Sequence, residues 1–219
     1  HELAKQAIGE VTVLPNGVSP EKSASSIDIS VSVNNEGKSI VGFIGSFEYF
    51  IDFDIIISAA KALPQYHFLL VGTGRDWAEV NEKVINAGVT NIELTGGVPH
   101  KEVFAYINKM DVCLNIFKPI PVSHRACPLK LFEYMGLRKP VISTRLHELE
   151  YVDKDFLYYA DTPAELVSSI NAVFSDPIYA QKRADLGYQT TMNHYTWKKL
   201  AEQFEGIVAD IKLEKSSDA

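Results

Sequence analysis

Short apolar runs alternate with segments of helical periodicity from Ser39 onward, and this alternation restricts the fold more than any other feature of the chain. Continuous apolar runs of this length are typical of strands that are buried on both faces. Strands that alternate with helices form a parallel sheet through right-handed crossovers. We therefore predict an α/β fold with a doubly wound parallel sheet of about six strands, which lie in SIVGFIGS, HFLLVGTG, NIELTG, DVCLNIF, KPVIST and FLYYA.

Composition divides the chain into three segments. Residues 18–39 hold seven serines and almost no large apolar side chain, which is typical of a loop or linker. A helical pattern beginning at Trp197 closes the chain. We predict an interdomain segment and linker-like loop over residues 1–38, a compact domain over residues 39–194, and a closing helix and tail over residues 195–219.

The overall composition excludes several classes of protein. The net charge of −7 argues against a nucleic-acid-binding protein, which would carry a basic stripe. No apolar run approaches the roughly 18 residues of a membrane helix, and two cysteines are too few for a disulfide scaffold. The six histidines lack ligand spacing, so we predict no metal site. These features favour a cytoplasmic location.

Glycines follow the first three predicted strands. They occur at Gly45 before Ser46, at Gly72 and Gly74, and at Gly96 and Gly97. In an open parallel sheet, ligands bind beyond the carboxyl ends of the strands, and glycine lets the backbone approach them closely. The alternative is that each glycine simply ends its strand in a tight turn. The chain has neither a complete dinucleotide fingerprint nor a P-loop, so the glycines alone do not identify a ligand.

One apolar helix carries two charges. We expect it to begin at Pro128, and Lys130 and Glu133 then lie on one face, three residues apart. In one interpretation they form a structural ion pair. In the interpretation that we favour, Lys130 binds an anion at the helix N-terminus while Glu133 accepts hydrogen bonds from hydroxyl groups. Arg125, in the loop before the helix, is a further candidate cation for a phosphate.

The motifs in this order resemble family 4 glycosyltransferases of the GT-B fold, the group 1 glycosyl transferases. The resemblance rests on VTVLPNGV, FLLVGTG, NIELTGGVPHKEVFAYINKMDVCLNIF, PLKLFEYMGLRKPVIST and YTWKKLAEQFEGIV. It implies a Rossmann-like, nucleotide-sugar-binding domain, the C-terminal half of a GT-B enzyme. The N-terminal acceptor half would lie outside this chain, and any peripheral membrane contact would come from that half.

The resemblance also implies roles for particular residues. Glu133 matches the glutamate that binds the ribose hydroxyls, and Gly97 and Val98 match the turn whose backbone faces the base. The backbone from Pro128 through Leu129 to Lys130 matches the helix N-terminus that receives the diphosphate.

Three positions depart from the common family pattern. Arg125 stands where the first glutamate is usual, Ser46 replaces the usual arginine, and Ile51 replaces the usual lysine. We therefore expect Lys130 and Arg125 to supply the catalytic positive charge, with Gly45, Ser46, Gly72 and Gly74 lining the nucleotide site.

The resulting hypothesis is a donor-binding domain that uses a UDP- or GDP-sugar as substrate and has no tightly bound cofactor. The intact enzyme would transfer a hexose-type sugar to a glycan or lipid-linked acceptor in polysaccharide biosynthesis, with retention and without a metal. The isolated domain would bind the donor without turnover. Two alternatives are a degenerate GT-B-like interaction module and half of a nucleotide-sugar epimerase.

Overall fold

Six short strands form one sheet in which every neighbouring pair is parallel, in the order β3-β2-β1-β4-β5-β6. The computed structural model describes residues 11–20 and 29–217, except for the side chains of residues 211–217. The predicted α/β fold and its six parallel strands are confirmed. The strands are β1 (Ile40–Ile44), β2 (His67–Val71), β3 (Ile92–Gly96), β4 (Val112–Asn115), β5 (Val141–Ser143) and β6 (Leu157–Tyr159).

The order of the strands reverses between β1 and β4. The chain moves outward from β1 to β3, and it then returns to place β4 on the other side of β1. In the register, Val41 pairs with Phe68 of β2 on one side and with Val112 of β4 on the other. In a doubly wound sheet this reversal opens a crevice at the carboxyl ends of the two central strands.

Eight α-helices connect or flank the strands in the described part of the chain. Two short 3₁₀ turns, His100–Glu102 and His147–Tyr151, precede α3 and follow β5. The helices are α1 (Phe53–Ala62), α2 (Trp77–Asn86), α3 (Val103–Lys109), α4 (Pro121–His124), α5 (Leu129–Gly136), α6 (Pro163–Ser175), α7 (Pro177–His194) and α8 (Trp197–Ser217).

Side-chain caps fix the starts of three helices. Asp52 accepts a hydrogen bond from the Ile55 N–H at the start of α1, and Asp176 accepts one from Tyr179 at the start of α7. Thr162 does the same for α6, where Pro163 occupies the first helical position. Each cap satisfies a backbone donor that has no acceptor within its own helix.

The core lies on both faces of the sheet. Every residue of β1, β2, β4 and β5 is buried, as expected for parallel strands that helices cover on both sides. The closing helix α8 is only partly packed against the core, because Leu200 is buried while Trp197 and Phe204 are 48% and 55% exposed.

No helix in the described ranges combines the length and apolar character needed to cross a bilayer.

The carboxyl ends of β1 and β2 touch through their backbones. The Gly45 N–H donates to the Val71 carbonyl at 3.0 Å. Gly72 has a φ of +132°, and a Cβ atom there would overlap the carbonyl oxygen of Gly45. Glycine at position 72 is therefore required both by its left-handed conformation and by the approach of the neighbouring strand.

We expect Gly72→Ala to lower the free energy of unfolding by about 3 kcal/mol, because it combines backbone strain with a backbone overlap. Urea denaturation measures this change. Gly206→Ala is the control, because a Cβ there meets nothing within 4 Å. It lies within α8 and should raise the free energy of unfolding by at most about 1 kcal/mol. Equal stability of Gly72→Ala and the wild type would contradict this account of the strand ends.

Candidate functional site

Three glycine turns line one edge of the sheet. Gly45 follows β1, Gly72 follows β2, and Gly96 ends β3, where its carbonyl accepts a hydrogen bond from the Gly72 N–H at 2.9 Å. Gly74 lies against the backbone of Phe47, which is hydrogen-bonded to Thr73. The structure therefore brings the predicted glycines of the first three strands together at one edge.

Two of these turns carry exposed residues. Ser46 is exposed beside Gly45, and Gly97 is exposed beside half-buried Val98. A Cβ atom on Gly97 would lie 3.1 Å from the Thr73 methyl group, so the turns after β2 and β3 are close neighbours. This arrangement presents backbone polar groups at the edge of the crevice.

Helix α5 begins one residue later than predicted. Pro128 is its N-cap rather than its first helical residue, because its ψ of 127° is extended. The sequence also indicates a helix that is apolar almost all round, but Leu129 is 43% exposed. The buried residues Leu131, Phe132, Tyr134 and Met135 form its inner surface. Leu129, in the first turn of α5, thus remains accessible, and the N–H groups of Leu129 and Lys130 have no acceptors within the helix.

The side chain of Lys130 reaches the turn after β1. A Cβ atom on Gly45 would lie 2.7 Å from Nζ of Lys130. The ammonium also lies 4.0 Å from the centre of the Phe43 ring and 5.7 Å from that of Phe117. Burial lowers the pKa of Lys130 to about 7, and the nearby Glu133 carboxylate opposes that change. Lys130 is therefore placed where an anion at the glycine edge would meet it.

Glu133 lies one turn further along α5. Burial raises the pKa of its carboxyl group, while His100 and Lys130 act in the opposite direction. Among the described residues, Glu133 forms no salt bridge with Lys130, so the structure does not contain the ion pair considered as an alternative. A half-buried carboxyl group near His100 can accept hydrogen bonds from hydroxyl groups of a ligand.

Arg125 lines a concavity that is separate from the glycine turns after β1, β2 and β3. It is exposed, and it borders a cavity of about 720 Å³ together with Asn16, Glu148, Tyr151 and Lys199. Neither Lys130 nor the strand-end glycines line this cavity within the described residues. Asn16 connects the two regions, because its amide donates to the Cys127 carbonyl at 2.7 Å, immediately before α5. A joint role of Arg125 and Lys130 remains a prediction.

The sequence does not indicate the aromatic contacts of Lys130. Phe117 and Thr144 stand at strand ends, where the rule for parallel sheets predicts a ligand crevice, but nothing in the sequence shows that Phe117 contacts Lys130 or that Thr144 holds Phe117. The Thr144 hydroxyl accepts from the Phe117 N–H at 2.9 Å and donates to the Phe117 carbonyl at 3.1 Å. Phe43 has no such signal, because in the sequence it is an ordinary member of an apolar strand.

The described residues contain no group of three or more His, Cys, Asp or Glu side chains that could hold a metal ion. The absence of a metal site stays a prediction from the sequence. Burial raises the pKa of the Cys113 thiol, which suits an inert position in the core.

The family model described as "Glycosyl transferase-like" matches residues 54–206, so the chain belongs to this family of glycosyltransferases. The teichuronic acid biosynthesis glycosyltransferase TuaH of Bacillus subtilis, named as putative, is 28% identical over 186 residues. That alignment covers 81% of this chain and 46% of the relative. The chain spans less than half the length of the curated relatives that it matches here.

Solved structures show the same fold. The C-terminal domain of a group 1 glycosyl transferase (LpcC) from Francisella tularensis superposes with a TM-score of 0.61 at 18% identity. The superposition covers 84% of this chain and 97% of that domain. Anabaena HepE, solved in complex with UDP and glucose, gives a TM-score of 0.68 at 16% identity, over 88% of this chain and 53% of HepE. The predicted resemblance to the C-terminal half of the GT-B fold is confirmed.

We expect Lys130→Met to stabilise the unliganded protein most at low pH. The folded-state pKa of about 7 lies below the ordinary 10.5, so the unfolded chain binds more protons between these values. The cost of burying Lys130 is therefore complete below pH 7 and declines as the pH rises toward 10.5. Urea denaturation of both proteins at about pH 6 and about pH 9.5 measures the difference. A stability difference independent of pH would contradict the burial of this ammonium.

Proposed function

We propose that this chain is the donor-binding domain of a two-domain glycosyltransferase. The observation that carries the proposal is the Lys130 ammonium beside Gly45, at the open first turn of α5. A helix N-terminus and a nearby cation together favour a diphosphate group. The ligand would be a nucleotide diphosphate sugar, of the UDP or GDP type, used as a substrate rather than as a resident cofactor.

Each candidate residue has a role in this proposal. Lys130 and the N–H groups following Pro128 would bind the diphosphate. They would also stabilise the negative charge that develops on it when the bond to the sugar breaks. Glu133 would accept hydrogen bonds from the ribose, while Gly97 and Val98 would face the base. Arg125 would contribute a second positive charge from the loop before α5. No metal is needed to neutralise the leaving group in this scheme.

The comparisons support both the proposed donor and the proposed biosynthetic role. HepE of similar fold was solved with UDP and glucose, and TuaH is named for teichuronic acid biosynthesis. We propose transfer of a hexose-type sugar, with retention, to a glycan or lipid-linked acceptor in polysaccharide biosynthesis. A cytoplasmic location would place the enzyme where such donors are made.

The acceptor half would pack against the exposed apolar side chains at the ends of the chain. Val13 and Leu14 are 38% and 36% exposed, and α8 exposes Trp197 and Phe204. We propose that residues 1–38 form the interdomain segment, residues 39–194 the donor domain, and residues 195–219 the closing helix and tail. The chain alone would then bind the donor without transferring its sugar.

Titration with UDP, GDP and ADP by calorimetry tests the proposed donor site. Because a hydrogen bond to a charged group contributes about 1.5–3 kcal/mol, we expect Lys130→Met to weaken diphosphate binding by about tenfold or more. Glu133→Gln should weaken it less, because the amide retains one acceptor oxygen.

Arg138→Met is the matched control. It removes an exposed cation just beyond the other end of α5, where Arg138 pairs with Asp185 at 2.8 Å. The Arg138→Met variant should bind UDP, GDP and ADP with the same affinities as the wild type. Failure of all three nucleotides to bind the wild type would overturn the proposal and favour the interaction module.

A further inference from the structure

The Lys130 ammonium faces two aromatic rings and has no hydrogen-bond acceptor among the described residues. Its Nζ lies 4.0 Å from the Phe43 ring centre and 5.7 Å from that of Phe117. Within the described residues no hydrogen bond or ion pair to this nitrogen is present. An aromatic face attracts a cation electrostatically, yet it leaves the three N–H donors of an ammonium group unused.

Two other lysines of this domain have polar partners. Lys139 donates to the Asn108 carbonyl at 2.8 Å, and Lys83 forms ion pairs with Asp54 and Glu79. Lys130 has a carboxylate one turn away in Glu133, but the two side chains do not form a salt bridge. The Lys130 ammonium therefore differs from those of Lys139 and Lys83 in facing aromatic rings rather than acceptors.

The two rings are themselves fixed. Phe43 is fully buried in β1 and packs edge-on against Phe47 and Phe53, with ring centres 5.9 and 5.4 Å away. Phe117 stacks on Phe50 at 5.9 Å with an angle of 6° between the ring planes. The Thr144 hydroxyl also holds the Phe117 backbone at both its N–H and its carbonyl group. The rings thus provide a rigid support for the lysine.

We propose that Phe43 and Phe117 are positioning residues that hold the Lys130 ammonium beside Gly45 with its hydrogen-bond donors available to the donor diphosphate. This inference rests on the proposed function. A carboxylate in the same place would compete with the phosphate oxygens, whereas the rings restrict the lysine without occupying its donors. Diphosphate binding then costs less ordering of a long, flexible side chain.

A double-mutant cycle tests whether the rings act through Lys130. UDP and GDP are each titrated by calorimetry into the wild type, Phe43→Leu, Phe117→Leu, Lys130→Met, and the two double variants with Lys130→Met. Each leucine variant should weaken nucleotide binding by about threefold to fivefold, the effect of losing a cation–π contact. In the Lys130→Met background the same leucine substitutions should change the affinity by less than about 1.5-fold.

Two further variants separate positioning from general packing. Phe68→Leu removes a fully buried ring from the neighbouring strand β2, and it should leave nucleotide affinity unchanged despite its cost in stability. Phe117→Tyr retains an aromatic face and should keep the affinity within about twofold of the wild type. Because Phe43 and Phe117 are substituted separately, a folding defect in one variant leaves the other as the test.

The outcomes distinguish this inference from the proposed function. Nucleotide binding by the wild type, with equal losses from the leucine substitutions in both backgrounds, would overturn the positioning role and leave the donor site intact. An affinity loss in Phe117→Tyr as large as that in Phe117→Leu would also overturn it. Absence of binding by the wild type would overturn both proposals.

Discussion

The contact between α5 and the carboxyl end of β1 determines the arrangement of the crevice. Tyr134, fully buried, accepts a hydrogen bond at its hydroxyl from the Ile44 N–H at 3.0 Å, the last residue of β1. Lys130 lies four residues earlier, so both side chains project from the same face of the helix. The buried hydroxyl therefore fixes the distance at which the first turn of α5, and with it Lys130, stands above Gly45.

This geometry explains why a cation can be retained in an otherwise apolar environment. Burying an ammonium without a carboxylate is costly, and the lowered pKa of Lys130 reflects that cost. Full compensation within the protein would stabilise the unliganded chain but would leave less attraction for an incoming anion. In the proposed donor site, the incompletely compensated charge of Lys130 would lower stability and favour anion binding, a compromise that recurs at functional sites.

The sequence predicted the fold well because the fold depends on local signals. Buried strands such as HFLLV in β2 are recognisable from their continuous apolar residues, and Asp52 and Thr162 mark helix starts by their own chemistry. The start of α5 was misplaced by one residue, because Pro128 suits both the N-cap and the first helical position. Local patterns identify elements more reliably than they identify the end residue of each element.

The site was predictable only in part, because its decisive contacts join distant segments of the chain. Rules for parallel sheets place Gly45, Gly72 and Lys130 at one edge, but they do not show which side chains surround Lys130. The surroundings of Lys130 depend on Phe43 of β1, on Phe117 after β4, and on the hydroxyl of Thr144 after β5, which holds Phe117. In the sequence, each of these three residues fits the pattern of its own strand or strand end. Only the order of the strands in the sheet makes the three residues neighbours. The residues around Lys130 are therefore not evident from the periodicity of the sequence, whereas Lys130 itself is evident as a charge in an apolar helix.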